Sequence, residues 1–414
     1  MAEPVVIVGA GLAGLCCGRR LAQCGVPFVI LEAADGVGGR VRTDVVDGFR
    51  LDRGFQIFLP GYPEARRVLD YDALDLKPFT RGALVRFGNK FHRVADPRAE
   101  PLAAARSLLG PVGSVADKLR LPPFQWHVGR DELESPTAPE KSALDLFQDD
   151  GGFSTKLIDR LLRPFLGGVT LDKSLATSSR FVRFIWRVFA AGGGAVPALG
   201  MGAIPQQLAD TLPAGSVRLN SPVSAVAGGA VTLESGESLA ASAVVVATDA
   251  TVAARLLGDA VSDPGWNGNT TLYYATDRPP CDEPILMLDG DGRGPANTVV
   301  VMSAASPAYA PPGQSLVSVS VVGVPGLDHA ALDAAVRQQI GGWFGDAVAG
   351  WRLLRVYRIL YSLPKMPAGS LDPWRRPVAV RDGLFVCGDH RDNGSIDGAM
   401  SSGFRAAQAV MERL

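Results

Sequence analysis

Hydrophobic positions in this chain fall into short, sharply bounded blocks. Residues 4–8 (PVVIV) form one unbroken apolar run, which predicts a strand buried on both faces. Leu12 to Gly25 predicts a helix, and Pro27 to Glu32 (PFVILE) a second buried strand. Strand, tight glycine turn, helix and strand make a βαβ unit, which implies a parallel sheet. From Val41 to Phe91 the pattern changes to short strands and turns. Arg98 to Leu121, Lys141 to Arg163 and Ser178 to Ala191 read as helices. Gly192 to Gly202 reads as a glycine-rich connection, and Ile204 to Leu212 as a helix with Pro205 in its first turn.

The second half is richer in strands. Ser216 to Val226, Ala230 to Leu233 and Ser242 to Ala247 are expected strands, with a hairpin turn at Gly228-Gly229. Thr270 to Ala275, Pro284 to Leu288, Thr298 to Met302, Leu316 to Val322 and Leu354 to Leu360 follow. Ala330 to Trp343 is an expected helix. Leu384 to Cys387 reads as a last buried strand and Ala399 to Arg413 as a closing helix.

Composition narrows the class. The 414 residues are enough for two to three domains, and 47% hydrophobic with 20% charged residues marks a well-buried globular chain. A formal net charge of -1 offers no field for nucleic acid or an anionic membrane. The five cysteines (Cys16, Cys17, Cys24, Cys281 and Cys387) form no C-x-x-C pair, which fits a reducing compartment. The apolar start has no basic residues before it, so it does not read as a signal peptide. The uncharged stretch Val188 to Ala203 is broken by glycines and Pro197 and does not read as a membrane span. The expectation is a cytoplasmic protein, with a peripheral membrane contact left open.

The chemistry begins between the first strand and the first helix. Gly9-Ala10-Gly11-Leu12-Ala13-Gly14 is a G-x-G-x-x-G fingerprint. Its glycines serve a sharp turn, a close backbone approach to a pyrophosphate, and close helix–strand packing. Unpaired N–H groups at the helix start favour phosphate. Glu32 ends the second strand, where an acid that binds ribose hydroxyls belongs. The following Ala33 leads into Gly38-Gly39-Arg40, whose backbone and guanidinium suit the pyrophosphate of a longer dinucleotide.

Val5 to Thr43, with this fingerprint, the terminal Glu and the GGR-x-x-T run, resembles the flavin-containing amine oxidase and phytoene desaturase superfamily. Further stretches resemble the family in the same order: Gly202 to Leu208, Asn220 to Val223, Ala243 to Thr248, Leu384 to Asp389, and Ser395 to Ala407. The resemblance implies an α/β architecture, a Rossmann-like FAD-binding domain with an inserted α+β substrate domain. With nucleotide signals at both ends, the FAD-binding domain is expected to be discontinuous: 1–78, 200–266 and 374–414. The inserted domain is then 79–199 and 267–373.

The same resemblance implies contacts at particular positions. Val223 would meet adenine through its backbone, and Ala247 would lie near the cofactor. Gly54 and Phe55 would lie near the flavin. Gly388 and Asp389 follow a buried strand, so Asp389 can receive a ribityl hydroxyl or order water at the pyrophosphate. Ser395, Ile396, Asp397 and Ala399 open a helix whose N–H groups would face the pyrimidine end of the isoalloxazine, where reduction places negative charge. No cysteine lies in the Arg391 to Ser402 loop, so non-covalent FAD is expected.

The resemblance also thins. Amine oxidases of the superfamily place a lysine near flavin N5; here the comparable stretch is Gly268-Asn269-Thr270-Thr271, with Asn269 near that position. Polar active-site candidates are few: Gln56, which either lines the ring or caps a turn, Tyr361 and His390. His92, His127 and His329 are isolated, and no metal spacing, nucleophile elbow or Walker motif is present. The helix Ser178 to Ala191 carries Arg180, Arg183 and Arg187 on one side and Phe181, Phe184, Ile185 and Val188 on the other. It reads either as core-packed or as facing lipid or a substrate entrance. The leading expectation is an FAD-dependent oxidoreductase that takes a hydride from a hydrophobic or amine-bearing small molecule. The rivals are a flavin-dependent isomerase and a non-catalytic FAD protein.

Overall fold

The computed structural model describes residues 3–128, 139–227 and 229–414. Val5–Val8 sits inside a six-stranded sheet, paired in parallel with Phe28–Leu31 on one side and Ala243–Val246 on the other. Val217–Arg218 extends it beyond Phe28–Leu31, and Leu384–Val386 then antiparallel Ala379–Arg381 extend the opposite edge. This is the parallel sheet that the βαβ pattern implied. Val5, Ile7 and Val245 pack against the fingerprint helix Leu12–Gln23 and the closing helix Ile396–Met411. Val6, Val8, Val244 and Val246 pack on Val223, Val231 and Leu233 of a three-stranded antiparallel sheet. Both faces are covered, which is why these strands read as unbroken apolar runs.

A second sheet has seven strands, ordered Arg352–Pro364, Trp266–Thr276, Ser315–Val322, Thr298–Val301, Leu286–Asp289, Gly82–Phe87 and Lys90–Ala95. All neighbours are antiparallel except Leu286–Asp289 and Gly82–Phe87, which run in parallel. Leu272, Tyr274, Val317 and Val319 pack on Leu332, Val336 and Ile340 of the helix His329–Phe344. The opposite face, with Tyr273, Ala275, Leu286 and Val300, joins the core of the first sheet.

Several local expectations change. Two short helices, Pro63–Val68 and Tyr71–Leu74, occupy the stretch expected to hold only strands and turns. Pro63 starts the first, and the Asp70 carboxylate accepts the Asp72 and Ala73 N–H groups to start the second. The helix expected over Arg98 to Leu121 is two helices, Pro101–Ser107 and Val115–Val128. Ser114 and Asp117 bond reciprocally to begin the second. Lys141 to Arg163 is broken at Gly151-Gly152, where Gly152 takes φ +57, and wound into π-helical turns at Leu146–Asp150 and Ile158–Leu162. Ser216 to Val226 splits into two strands in different sheets, because Asn220 turns the chain at φ 51. The Gly192 connection contains a short strand, Ala195–Pro197, paired with Leu76–Pro78. Ala250–Leu257 is a further helix, started by the Asp249 carboxylate on the Val252 N–H. Gly229 takes φ +85 at the expected hairpin turn, and Gly228 lies outside the described residues.

The helix Ser179–Gly192 does not present an apolar face to lipid. Phe181, Phe184, Ile185 and Val188 enter the main core, and Val182 enters a separate cluster with Phe147, Leu157 and Leu166. Arg180 and Arg183 are buried as well: Arg180 donates to the Leu371 carbonyl at 2.7 Å and Arg183 to Asp150 at 3.2 Å. Among the described residues, no helix is long and apolar enough to cross a membrane.

One buried carboxylate ties these parts together. Asp52 is fully buried. Its Oδ1 accepts from Thr43 Oγ1 at 2.6 Å and from the Met201 N–H at 2.9 Å, and its Oδ2 accepts from the Tyr309 hydroxyl at 2.7 Å. The Tyr273 hydroxyl donates to its backbone carbonyl at 2.9 Å. Burial pushes this carboxyl from 3.8 up to about 6. The native state therefore holds a proton that the unfolded chain has lost between those two values, and stability falls as pH rises through the window. A displacement of roughly two units corresponds to about 3 kcal/mol. Asp52→Asn removes that slope. Urea unfolding at several pH values is expected to show the stability advantage of wild type over Asp52→Asn shrinking by about 2–3 kcal/mol from pH ~4 to ~7. An unchanged difference would contradict the placement.

Candidate functional site

The fingerprint turn is built on bare backbone. Gly9 takes φ +107, and a Cβ there would stand 3.0 Å from the Ala247 carbonyl oxygen. A Cβ on Gly14 would overlap the Gly9 carbonyl and touch the Ala247 side chain at 3.3 Å, so strand and helix meet only because position 14 has no side chain. Gly11 differs, because a Cβ there meets nothing within 4 Å. Its bare Cα faces open space, beside the start of a helix at Leu12 and Ala13 that has no side-chain cap. That is a cradle of the kind an anionic pyrophosphate fills.

The side where the resemblance implies adenine lies next to it. Glu32 is buried, with Oε2 accepting the Ala10 N–H at 2.7 Å and Oε1 the Ala34 N–H at 2.9 Å. Each oxygen keeps a lone pair for a ribose hydroxyl. The Ser221 N–H donates to the Glu32 carbonyl and the Asn220 N–H to the Ala34 carbonyl, which brings the Val223 strand alongside exposed Ala33. The Val223 side chain is buried with Val6 and Val8, leaving its backbone for a ligand.

The GGR run folds back onto the turn. The Gly38 N–H donates to the Ala10 carbonyl at 2.8 Å, and a Cβ on Gly39 would stand 3.5 Å from the Gly11 Cα. Arg40 then crosses to the other end of the chain. Its Nη2 donates to Asp389 Oδ1 at 2.8 Å, its Nη1 to the Ser362 carbonyl at 3.1 Å, and its guanidinium lies 5.3 Å from the Trp266 ring centre. Asp389 is buried and Gly388 takes φ +148, its N–H donating to Ser402 Oγ at 2.9 Å.

The closing helix opens on Ser395, whose Oγ accepts the Gly398 N–H at 3.0 Å and donates to Asn393 Oδ1 at 2.6 Å. The Ser395 carbonyl takes the Ala399 N–H, so Ile396 and Asp397 supply the leftover N–H groups of the first turn. The Asp397 side chain is committed elsewhere: its Oδ1 accepts the Glu64 N–H at 2.7 Å, and burial pushes its carboxyl up to about 6. A flavin contact at Asp397 is therefore a backbone contact.

The polar candidates separate. Gln56 Nε2 donates to the Arg40 and Arg53 carbonyls at 3.0 and 3.3 Å, which makes it a positioning residue for the turn. Gly54 and Phe55 pack where the resemblance implies a flavin-facing lysine. The Phe55 N–H donates to Thr271 Oγ1 at 3.1 Å, and a Cβ on Gly54 would stand 3.5 Å from Asn269 Nδ2. Asn269 is buried and neutral, bonded to Thr271 and Ser320. Tyr361 is half-exposed and meets Trp266 edge to face at 5.6 Å. His390 is buried with neither ring nitrogen hydrogen-bonded, beside a cavity of about 220 Å³ bordered by Met366, Asp389, Asp392 and Asn393. Burial pushes its ring down to about 4, so it is neutral near pH 7.

Trp266, Thr271 and Asn393 were not singled out from sequence. Each reaches the site through a tertiary neighbour: Trp266 under Arg40, Thr271 under Phe55, and Asn393 under the Ser395 cap. Only Asn393 had a local signal, a polar residue two before a helix cap. Among the described residues no His, Cys, Asp and Glu cluster could hold a metal. Cys387 is buried and free, as are Cys16 and Cys17.

Comparison with known proteins gives the family and the fold. Residues 12–411 match the family described as flavin containing amine oxidoreductase. Protoporphyrinogen oxidase 2 of Arabidopsis thaliana is 27% identical over 168 residues, 40% of this chain and 32% of that protein. Carotenoid phi-ring synthase of Streptomyces griseus is 31% identical over 177 residues, 39% of this chain and 32% of that protein. These matches thus span about a third of the relatives' own length. In fold, the chain is similar to putrescine oxidase bound to putrescine, with a TM-score of 0.74 at 17% identity over 100% of both chains. It is also similar to an oxidoreductase from Methanosarcina mazei, with a TM-score of 0.73 at 19% identity over 99% of this chain and 100% of that one.

Two outcomes follow from the geometry. Gly11→Val is expected to leave far-UV circular dichroism intact while purified protein loses its visible flavin absorbance; retained flavin would contradict the cradle. The neutral His390 ring is expected to contribute no ionisation to the rate between pH ~6 and ~8, so His390→Gln leaves that part of the pH profile unshifted. The bare-backbone turn, the buried Glu32 and the start of the closing helix come from three separate stretches and fit one FAD molecule, and the chain belongs to the family of flavin-containing amine oxidoreductases.

Proposed function

We propose that the protein oxidises a hydrophobic or amine-bearing small molecule by hydride transfer, in the manner of a dehydrogenase or desaturase. When bound, FAD supplies the hydride acceptor. Residues 1–78, 200–266 and 374–414 form the unit that holds it, and 79–199 with 267–373 the unit that holds the substrate. Gly11, Leu12, Ala13 and the Gly38–Arg40 run take the pyrophosphate. Glu32 and the Val223 backbone take the adenosine. Asp389 takes a ribityl hydroxyl, and the Ile396 and Asp397 N–H groups stabilise negative charge at the pyrimidine end.

The observation that carries this reading is Asn269. At the position where the resemblance implies a lysine, this chain has a buried amide already bonded to Thr271 and Ser320. An amide is not basic enough to take a proton from an ammonium substrate, so the chemistry that fits is removal of hydrogen from a carbon whose neighbouring group needs no deprotonation by this residue. The names of two relatives, a protoporphyrinogen oxidase and a carotenoid enzyme, support a conjugated apolar substrate; putrescine oxidase of Kocuria rosea, 44% identical over 66 residues, keeps the amine class in play.

The neutral Asn269 and His390 also suit a redox-neutral isomerisation assisted by the flavin. Anaerobic incubation with polyenes, porphyrinogens and amines in parallel separates the two. The expected result is stoichiometric bleaching of the flavin with a product two hydrogens lighter. Turnover with unchanged product mass would favour the isomerase, and no bleaching with any class would overturn the proposal.

A further inference from the structure

We infer a second binding site, for a phosphoryl group, on the outer side of the fingerprint helix and away from the cofactor cradle. A cavity of about 160 Å³ lies between that helix, the closing helix and the short helix Pro63–Val68. Cys16, Arg19, Arg20 and Gln23 line it from the first, Met400 and Phe404 from the second, and Glu64, Arg67 and Val68 from the third.

Its charge is one-sided: three guanidinium groups face one carboxylate. Glu64 is already engaged by Arg67 at 2.7 Å. Among the described residues, Arg19 has no hydrogen bond and no ion pair, and the buried Nε of Arg20 has no acceptor. The Arg20 and Arg67 guanidinium groups lie 5.2 and 4.0 Å from the Phe404 ring centre, which fixes their planes, and only Arg67 has a carboxylate for its donors. Cys16 supplies no counter-charge, since burial pushes its thiol up to about 12. The unpaired Arg19 and Arg20, the latter with a buried Nε that has no acceptor, border a cavity larger than several waters, and this calls for an oxyanion. Two guanidinium forks match the geometry of phosphate.

The site also has a structural consequence. Its walls are the two helices whose N-termini face the cofactor, and Pro63–Val68 is held to the closing helix by Asp397 on the Glu64 N–H. An occupant would cross-link all three helices.

The test uses the holoenzyme in two arms, inorganic phosphate against chloride at matched ionic strength, and phosphatidic acid vesicles against phosphatidylcholine vesicles. Free phosphate is followed by calorimetry and thermal melting, and vesicles by co-sedimentation. The comparison is with Arg19→Gln/Arg20→Gln, and with Arg19→Lys/Arg20→Lys as a charge-preserving control, both checked for unchanged flavin content. The expected result is saturable wild-type binding that raises the melting temperature and weakens at least tenfold in the Gln double variant. The Lys pair is expected to fall between. Binding in either arm that the Gln pair loses supports the site, and the arm identifies the phosphate source. No binding in both arms, or equal binding by wild type and the Gln pair, overturns it.

Discussion

The contact on which the rest depends is the seating of the closing helix on the fingerprint helix. A Cβ on Gly403 would overlap the Ala13 carbonyl, so the two helices approach backbone to backbone only because position 403 is bare. Residues nearly four hundred positions apart are thereby placed side by side. The first turn of one helix opens beside the bare Gly11, and the first turn of the other leaves the Ile396 and Asp397 N–H groups unused within the helix. Neither half is a site alone, since each offers only part of what a dinucleotide of this length needs.

Around that apolar seam the polar links are few and each spans long sequence distances. Arg40 to Asp389 joins the GGR run to the last buried strand at 2.8 Å, and Asp52 joins the hairpin Thr43–Asp52 to Met201 and Tyr309. Both carboxylates are nearly or fully inaccessible. Inside the protein an uncompensated charge is costly, and several donors on one carboxylate make its position tolerable. Asp52 is thus a structural acid, while Asp389 has further lone pairs to offer a ligand.

The polar candidates near the expected flavin ring carry no charge of their own. Asn269 is an amide, His390 is held neutral by burial, and Gln56 is used up by the Arg40 and Arg53 carbonyls. Such a site offers position and dryness more than proton transfer. That distinguishes the cofactor machinery, which this chain shares with its family, from the amine chemistry of the family's name.

How much could be read in advance depended on the range of the interactions. Strands buried on both faces, the glycines of the turn, Glu32 and the GGR run were legible in sequence because local backbone sterics and strand periodicity dictate them. The broken helices after Arg98 were not, because Gly151-Gly152 and the Ser114–Asp117 cap compete locally with an apolar pattern that continues through them. The helix Ser179–Gly192 had an amphipathic pattern that fits lipid or core equally well; only the tertiary structure decided, by covering its apolar face and burying two of its arginines. The sequence by itself determined the turn, the acid and the glycine run that a dinucleotide site of this family calls for. The tertiary structure decided which side chains stand beside Phe55, Arg40 and Ser395, because Thr271 with Asn269, Trp266 and Asn393 are brought to them by packing between segments that carry no local mark of one another.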